Sequence, residues 1–393
     1  MAAILCLLFA LFLALAMHPF ITYPLSLMLL DRRRRAQPGA SAPVELRETV
    51  RPSFAICMCA YNEERTIEAK CRNLLALKSA CPDLEIFAYV DGASDGTADI
   101  LRRYEPEIRV QVSPARLGKT HGMNQLVAQA SADIVLFTDA NVILDEAILD
   151  RLAHYYADPG VGCVCGHLVY VNGADSATAD SGSLYWRLEE RIKQLESDLG
   201  SAMGADGSLF AIRRSLHHPP PDNIIDDMYV SLMILCSGYR IVRAPDVLAY
   251  EEAVASLGAE FQRKIRIACQ AFNVHRLLWP RLRAQSALTL YMYVSHKLLR
   301  WLSIYSLGLA GLCFVAMCAA AGHPGLGLAA VALPAGALLL GSRFEVRPFP
   351  KIVSILVALA GAGIGVFRSL RGDRFQIWNS TSSLQPADSV PNS

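Results

Sequence analysis

Residues 54–60 read Phe-Ala-Ile-Cys-Met-Cys-Ala and run straight into Tyr61-Asn62-Glu63. A continuous apolar run of that length, ending on polar and acidic groups, has the pattern of a strand buried on both faces of a sheet. The pattern returns twice. Leu84–Val90 leads into Asp91-Gly92-Ala93-Ser94-Asp95, and Ile134–Phe137 leads to Asp139-Ala140-Asn141. Between the runs, Glu64–Leu77, Thr97–Tyr104 and Lys119–Ala130 have helical spacing, and Val110–Val112 is a further short strand. Strands and helices alternating at this spacing predict an α/β fold with a doubly wound, mostly parallel sheet. Ligand groups in such a sheet sit at the carboxyl ends of strands, where each of these acids falls.

From about Asp175 the character changes. Leu184–Leu199 combines helical spacing with many charges and is followed by the small residues of Gly200–Gly207. Leu209–Ile212 reads as a strand, His217-His218-Pro219-Pro220-Pro221 as a loop and Asp227–Gly238 as a helix. Tyr239–Val242 and Val247–Tyr250 read as two short strands. Phe261–Trp279 is amphipathic and basic on one face, a pattern suited to a membrane interface.

The chain has 393 residues, 53% of them hydrophobic, and the apolar excess lies at its two ends. A net charge of +1 gives no electrostatic case for nucleic acid. Ala2–Leu30 is apolar, carries no positive side chain before its core, and is followed by Arg32, Arg33, Arg34 and Arg35. That order fits a retained anchor with the arginines in the cytoplasm rather than a cleaved signal, and Pro19 and Pro24 are positions where it can kink. Trp301–Ala321 is long enough to cross ~30 Å of hydrocarbon. Gly325–Gly341 and Ile352–Phe367 are shorter and rich in Gly and Ala, as spanning or re-entrant helices are. If all four segments cross, Arg343 and Arg347 lie inside while Arg368, Arg371 and Arg374 lie outside. Either the charge rule fails there or one short segment does not cross. The resulting organisation is an anchor (1–31), a linker (32–50), a catalytic domain (51–255), interface helices (256–300), C-terminal membrane segments (301–368) and a polar tail (369–393). The 11 cysteines are scattered, without zinc or redox spacing, and read as small buried residues in a reducing compartment.

Asp139 and Asn141 together offer oxygen ligands for Mg²⁺ or Mn²⁺, although an Asp capping the next helix is the plainer reading. Asp91 opens a glycine-containing turn that allows close approach to a ligand, and Ser94 or Asp95 could equally cap the following helix. Arg116-Leu117-Gly118-Lys119 brings two cations to a helix start, which suits phosphate or merely a solvated turn. Asp226-Asp227 opens another helix, where acids favoured by the dipole or a general base are both in keeping. Arg263 and Arg266 share one helix face. His217, His218 and His296 have no metal spacing and read as surface or interface residues.

In this order the motifs resemble the membrane-embedded family 2 glycosyltransferases: the cellulose, hyaluronan and poly-N-acetylglucosamine synthases and ceramide glucosyltransferase. The resemblance covers roughly residues 52–280. It implies a cytoplasmic GT-A domain flanked by transmembrane helices at the cell inner membrane, transferring sugar with inversion to give a β-linkage. Tyr61, Glu63 and Asp91 would then contact the uridine of a UDP-sugar, with Lys119 near the nucleotide or its diphosphate. Asp139 would be the first acid of the family's D-x-D and bind metal, with Asn141 in place of the second. Asp227 would deprotonate the acceptor, beside Asp226 where Glu is usual. Gly204, Asp206 and Gly207 would border the acceptor. Arg263 and Arg266 match the family's (Q/R)-x-x-R-W, with Ile267 replacing its Trp. The acceptor implied is a growing polysaccharide, or a membrane lipid receiving one sugar. A homo-oligomer or an accessory export subunit is left open.

Overall fold

The computed structural model describes residues 2–36, 51–171, 177–252 and 257–377, and side chains except those of 177–186 and 257–260. The linker beyond Ala36 and the tail beyond Ile377 lie outside the described residues. Two helices come first, α1 (Ala2–Met17) and α2 (Thr22–Arg35). Strands and helices then alternate: β1 (Phe54–Ala60), α3 (Ile67–Ala80), β2 (Glu85–Asp91), α4 (Thr97–Arg102), β3 (Arg109–Ser113), α5 (Lys119–Gln129) and β4 (Ile134–Asp139). The second half adds β5 (Ile143–Leu144), α6 (Ile148–Tyr156), β6 (Val161–Tyr170), α7 (Ala177–Leu199), β7 (Leu209–Arg213), α8 (Asp226–Cys236) and β8 (Arg240–Glu251). It closes with α9 (Leu257–Leu282), α10 (Ala287–Tyr293), α11 (Leu299–Ala320), α12 (Pro324–Arg343) and α13 (Phe349–Leu370). A π-helical turn, Val294–Leu298, joins α10 to α11.

All eight strands form one mixed sheet in the order β3-β2-β1-β4-β7-β6-β8-β5. β3, β2, β1 and β4 are parallel, so the expected parallel half is present. β7 runs against β4 and β6, while β8 is parallel to β6. The strand order reverses between β1 and β4, and beyond their carboxyl ends is where such a sheet binds its ligands. The two short strands expected at 239–242 and 247–250 are one strand, β8, continuous through Pro245 and with irregular register against β6.

Successive β1 side chains serve two cores. Phe54, Ile56, Met58 and Ala60 pack with Ile67, Leu74 and Leu101 of α3 and α4. Ala55, Cys57 and Cys59 pack with Met123 of α5, Ile192 of α7, Val274 of α9 and the α2 residues Tyr23 and Leu27. The cysteines of the described residues are all free. Packing of α5 on the sheet is tight at Gly122, where a Cβ would stand 2.4 Å from Tyr89 Cδ1 and 2.7 Å from Cys59 Sγ. Gly122→Ala is therefore expected to cost about 1–3 kcal/mol in denaturant unfolding, the usual penalty for overpacking a filled core. An unchanged midpoint would show that α5 can shift freely.

The N-terminal apolar segment is two helices at 63° rather than one kinked helix, broken at His18–Ile21 around Pro19. Among the described residues three further helices are long and apolar enough to cross a membrane: Ala287–Ala320, Pro324–Arg343 and Phe349–Leu370. α11 and α13 run antiparallel, since Tyr305 near the start of α11 donates to Gly363 O near the end of α13 at 2.7 Å. The chain leaving α13 returns to the sheet domain. Asn273 Nδ2 of α9 donates to Asp373 O at 3.0 Å, and Gln376 Nε2 to Leu117 O at 2.9 Å. With both inner ends at the sheet domain, α10–α13 make an even number of crossings if they stand in a bilayer. That favours the reading in which one short segment, α12, does not cross, and it puts Arg368 and Arg371 on the side of the sheet domain.

Candidate active site

The carboxyl ends of β1, β2 and β4 deliver Tyr61 and Glu63, Asp91, and Asp139 to one edge. β8, parallel to β4 in sense, ends there with Glu251, and β7 starts there after Gly207 and Ser208.

Asp91 is fully buried and spends its carboxylate on the loop before α5. Oδ1 accepts from Leu117 N at 2.7 Å and Gly118 N at 3.1 Å. This fixes Arg116, whose guanidinium lies 3.4 Å over the Tyr61 ring. Gly118 has φ +98, and a Cβ there would meet Gln376 O at 2.4 Å, so glycine is needed on both counts. Asn62 is also left-handed, at φ 52, and its Oδ1 accepts from Ser94 N at 2.9 Å. Asp95 accepts from Thr97 N at 3.1 Å, in keeping with the capping role left open for it. Glu63 is buried, with Oε2 accepting from Thr66 Oγ1 at 3.0 Å.

Lys119 opens α5 and reaches β4 and the segment before β7. Its Nζ donates to Asp139 Oδ1 at 2.6 Å and Gly207 O at 3.1 Å, while Ser208 Oγ donates to Asp139 Oδ2 at 2.8 Å. Burial works against the ammonium, but Asp139, Asp226 and Asp227 outweigh it and hold Lys119 well above the usual lysine range. Burial likewise works against the Asp139 carboxylate, and Lys119 more than offsets it, leaving Asp139 below its ordinary value. Thr120 Oγ1 donates to Ile224 O at 2.8 Å and Asn124 Nδ2 to Pro220 O at 2.9 Å. These two bonds lock α5 to the segment that enters α8.

α8 begins with Asp226 and Asp227. Asp226 is buried and its Oδ2 has no hydrogen-bond partner. Asp227 Oδ1 accepts from Met228 N at 2.5 Å, and a Cβ on Gly207 would stand 2.6 Å from Asp227 Oδ2. Burial, then the neighbouring Asp226 charge, pushes Asp227 up to about 7. A carboxyl poised there exchanges protons near neutral pH.

The 204–207 segment is held from α7, which in turn bonds α2 and the π-helical turn. Lys193 Nζ donates to both Asp206 oxygens, at 2.9 and 2.7 Å. Glu196, fully buried, accepts from Met203 N at 3.2 Å and Tyr23 OH at 2.5 Å, and pairs with His296 Nδ1 at 2.7 Å. His296 Nε2 meets Glu189 Oε1 at 2.9 Å, and Arg300 also binds Glu189. Of the surface and interface positions expected for His296, the surface one is thus corrected. It is 1% exposed, because the π-helical turn aims it between two glutamates. His217 is half-buried and stacks near Phe137, and His218 is exposed. On α9, Arg263 is exposed, whereas Arg266 is half-buried with its Nε unbonded. Burial, then Arg263, lowers Arg266, the signature of a cation enclosed without enough negative charge.

Glu251 is a residue that motif reading missed. Asn141 Nδ2 donates to Glu251 Oε1 at 2.9 Å, and burial followed by the Asp139 charge raises the Glu251 carboxyl. Two carboxylates close enough to perturb each other, with an amide between them, make an all-oxygen donor set that suits a hard divalent cation. Among the described residues no three His, Cys, Asp or Glu side chains converge as a ready-made cage. Mg²⁺ or Mn²⁺ needs only one or two protein carboxylates when a diphosphate supplies the rest, so these residues fit such an ion.

Residues 55–218 match the family model described as glycosyl transferase family 2. The chain is 29% identical over 219 residues to the poly-beta-1,6-N-acetyl-D-glucosamine synthase of Staphylococcus aureus, covering 54% of this chain and 52% of that protein. It is 23% identical over 246 residues to an N-acetylglucosaminyltransferase of Rhizobium leguminosarum bv. viciae, covering 58% of each. The chain therefore spans little more than half the length of these curated relatives. A mannosyltransferase from Pyrobaculum calidifontis, solved with GDP-Man and Mn²⁺, superposes with a TM-score of 0.69 at 24% identity, covering 92% of this chain and 99% of that one. At that identity the likeness speaks for the fold, which is GT-A. The stretch that matches the glycosyl transferase family 2 model, residues 55–218, thus lies on a GT-A fold.

Proposed function

We propose that the chain transfers a sugar from a UDP-sugar to a hydroxyl of a growing exopolysaccharide at the cytoplasmic membrane face, inverting the anomeric carbon. The observation that carries this is one set of contacts. A carboxyl tuned to about 7, Asp227, stands against Gly207, and Lys119 bridges Gly207 O and Asp139. Acid-base and diphosphate-binding groups thus face one space at the sheet's switch point.

In this reading Tyr61, Glu63 and the Asp91-held loop receive the nucleoside, and Gly204–Gly207 receives the acceptor. Asp227 takes the acceptor proton as the hydroxyl oxygen bonds to the anomeric carbon. The bond from that carbon to the diphosphate breaks on the opposite face. Lys119 and Arg266 meet the charge that develops on the departing diphosphate, the largest electrostatic change in the step. Asp139, Asn141 and Glu251 would hold Mg²⁺ or Mn²⁺, which when bound adds Lewis-acid charge against the same leaving group. N-acetylglucosamine is the sugar in the names of both curated relatives, and it is the donor sugar we propose. Arg32–Arg35 support the cytoplasmic orientation.

A second reading has one specific observation in its favour. Ile267 replaces the aromatic residue of the processive relatives' motif and is 38% exposed, so the acceptor border lacks a ring on which a sugar chain could stack. The acceptor would then be a membrane lipid receiving one sugar. UDP release by the protein in nanodiscs, with a panel of UDP-sugars and Mg²⁺ or Mn²⁺, tests both readings once the labelled product is sized. We expect UDP-N-acetylglucosamine to give the fastest release and a polymeric product. A single sugar on extracted lipid would decide for the second reading, and no release with any donor would overturn both.

A further inference from the structure

Lys70 takes no part in the chemistry above, yet α3 buries it completely. A lysine amine withdrawn from water is costly unless its donors are used. Those of Lys70 are spent on one short piece of chain. Nζ donates to Val142 O at 2.5 Å and to Thr138 Oγ1 at 3.0 Å. Thr138 and Val142 are the residues on either side of Asp139-Ala140-Asn141. One helical turn further along α3, Asn73 exchanges two bonds with Leu144, Nδ2 to O at 2.8 Å and Oδ1 from N at 2.9 Å.

The two grips differ in what they hold. Asn73 secures β5 beyond the turn, whereas Lys70 clasps both legs of the turn itself. α3 packs in the core on one face of the sheet and α5 in the core on the other. Asp139 is therefore approached from two directions: Lys119 bonds its carboxylate from α5, and Lys70 ties the backbone beneath. When a cation or diphosphate competes for Lys119, Ser208 and Glu251 still touch the Asp139 and Asn141 side chains, and Lys70 holds the chain that carries both.

We propose that Lys70 is a positioning residue that holds the Asp139–Asn141 turn in the geometry that presents both side chains to a divalent cation and the donor diphosphate. The proposal rests on the reading of Asp139 and Asn141 as donor-side ligands. A merely structural lysine would weaken every property of the site together. A positioning lysine weakens the metal-dependent part alone, because the nucleoside end is held by Asp91 and the 116–118 loop.

The test is UDP binding by calorimetry to the full chain in nanodiscs, with Mn²⁺ and with EDTA. In Lys70→Met, affinity with Mn²⁺ is expected to fall about tenfold or more, the range seen when outer supports of metal ligands are lost. Affinity in EDTA should stay within about twofold of wild type. Thr138→Val, which removes one acceptor and keeps the shape, should show a smaller loss in the same sense and serves where Lys70→Met does not fold. Equal losses with and without Mn²⁺, or no loss in either, overturn the positioning role. A wild-type protein whose UDP affinity ignores Mn²⁺ instead overturns the metal-site reading on which the proposal stands.

Discussion

Asp227→Asn is expected to lower kcat by about 10²–10⁴-fold, the range for losing a positioned general base, while UDP affinity stays close to wild type. The amide keeps the shape beside Gly207 but cannot accept a proton. The wild-type pH profile should carry the same signature. Asp227 sits at about 7, so kcat/KM should rise with pH below about 7 and level off above it, and Asp227→Asn should lack that limb. Stability should move the other way. A carboxyl raised in the folded state holds its proton more tightly than in the unfolded chain, so this group's contribution falls between about pH 4 and 7 and stays low above. Asp227→Asn should therefore raise the melting temperature at pH 8, with the gain fading toward pH 4. An Asp227→Asn protein with near-normal turnover would remove Asp227 from the mechanism, and Asp226, whose Oδ2 is buried and unbonded, would replace it as the residue to test.

Asp139→Asn should cost about 10³-fold in kcat/KM, roughly 4 kcal/mol of lost charge stabilisation at the leaving group. Asp139 joins the two halves of the site, bonded to Lys119 on one oxygen and Ser208 on the other. Its loss frees Lys119 from its principal partner and leaves Glu251 as the remaining carboxylate beside Asn141. Glu251→Gln should act in the same direction but more weakly, raising the metal concentration needed for half-maximal rate about tenfold. Metal titrations of both variants measure this. If Glu251→Gln leaves the metal requirement untouched, the cation is held by Asp139 and the diphosphate without β8.

The parallel half of the sheet was legible because β1, β2 and β4 are apolar runs that stop at acids, and local pattern suffices for buried strands. Asp226-Asp227 was legible because a helix start is a local event. What was not legible depends on distant pairing. Glu251 meets Asn141 only because β8 ends at the same edge as β4, 110 residues away in sequence. No spacing rule reports that. Pro245 made β8 look like two strands, and only its pairing with β6 carries it through. α6 had no motif to mark it. His296 looked peripheral because its partners, Glu189 and Glu196, lie about a hundred residues upstream on another helix. The arginine signs alone could not say how many of the apolar segments would cross a bilayer. The bonds from α9 and Leu117 to the chain after α13 supply that parity.

The Glu196 junction has a geometric consequence. Its three partners belong to the N-terminal helix pair, to the π-helical turn that starts a membrane-length helix, and to the backbone at Met203. The 204–207 segment is therefore levelled against the apolar helices as well as against the sheet. On the proposed reading the enzyme carries a built-in depth gauge. An acceptor hydroxyl floating higher or lower in the bilayer would then meet a 204–207 segment whose height is tied to the apolar helices through one buried glutamate.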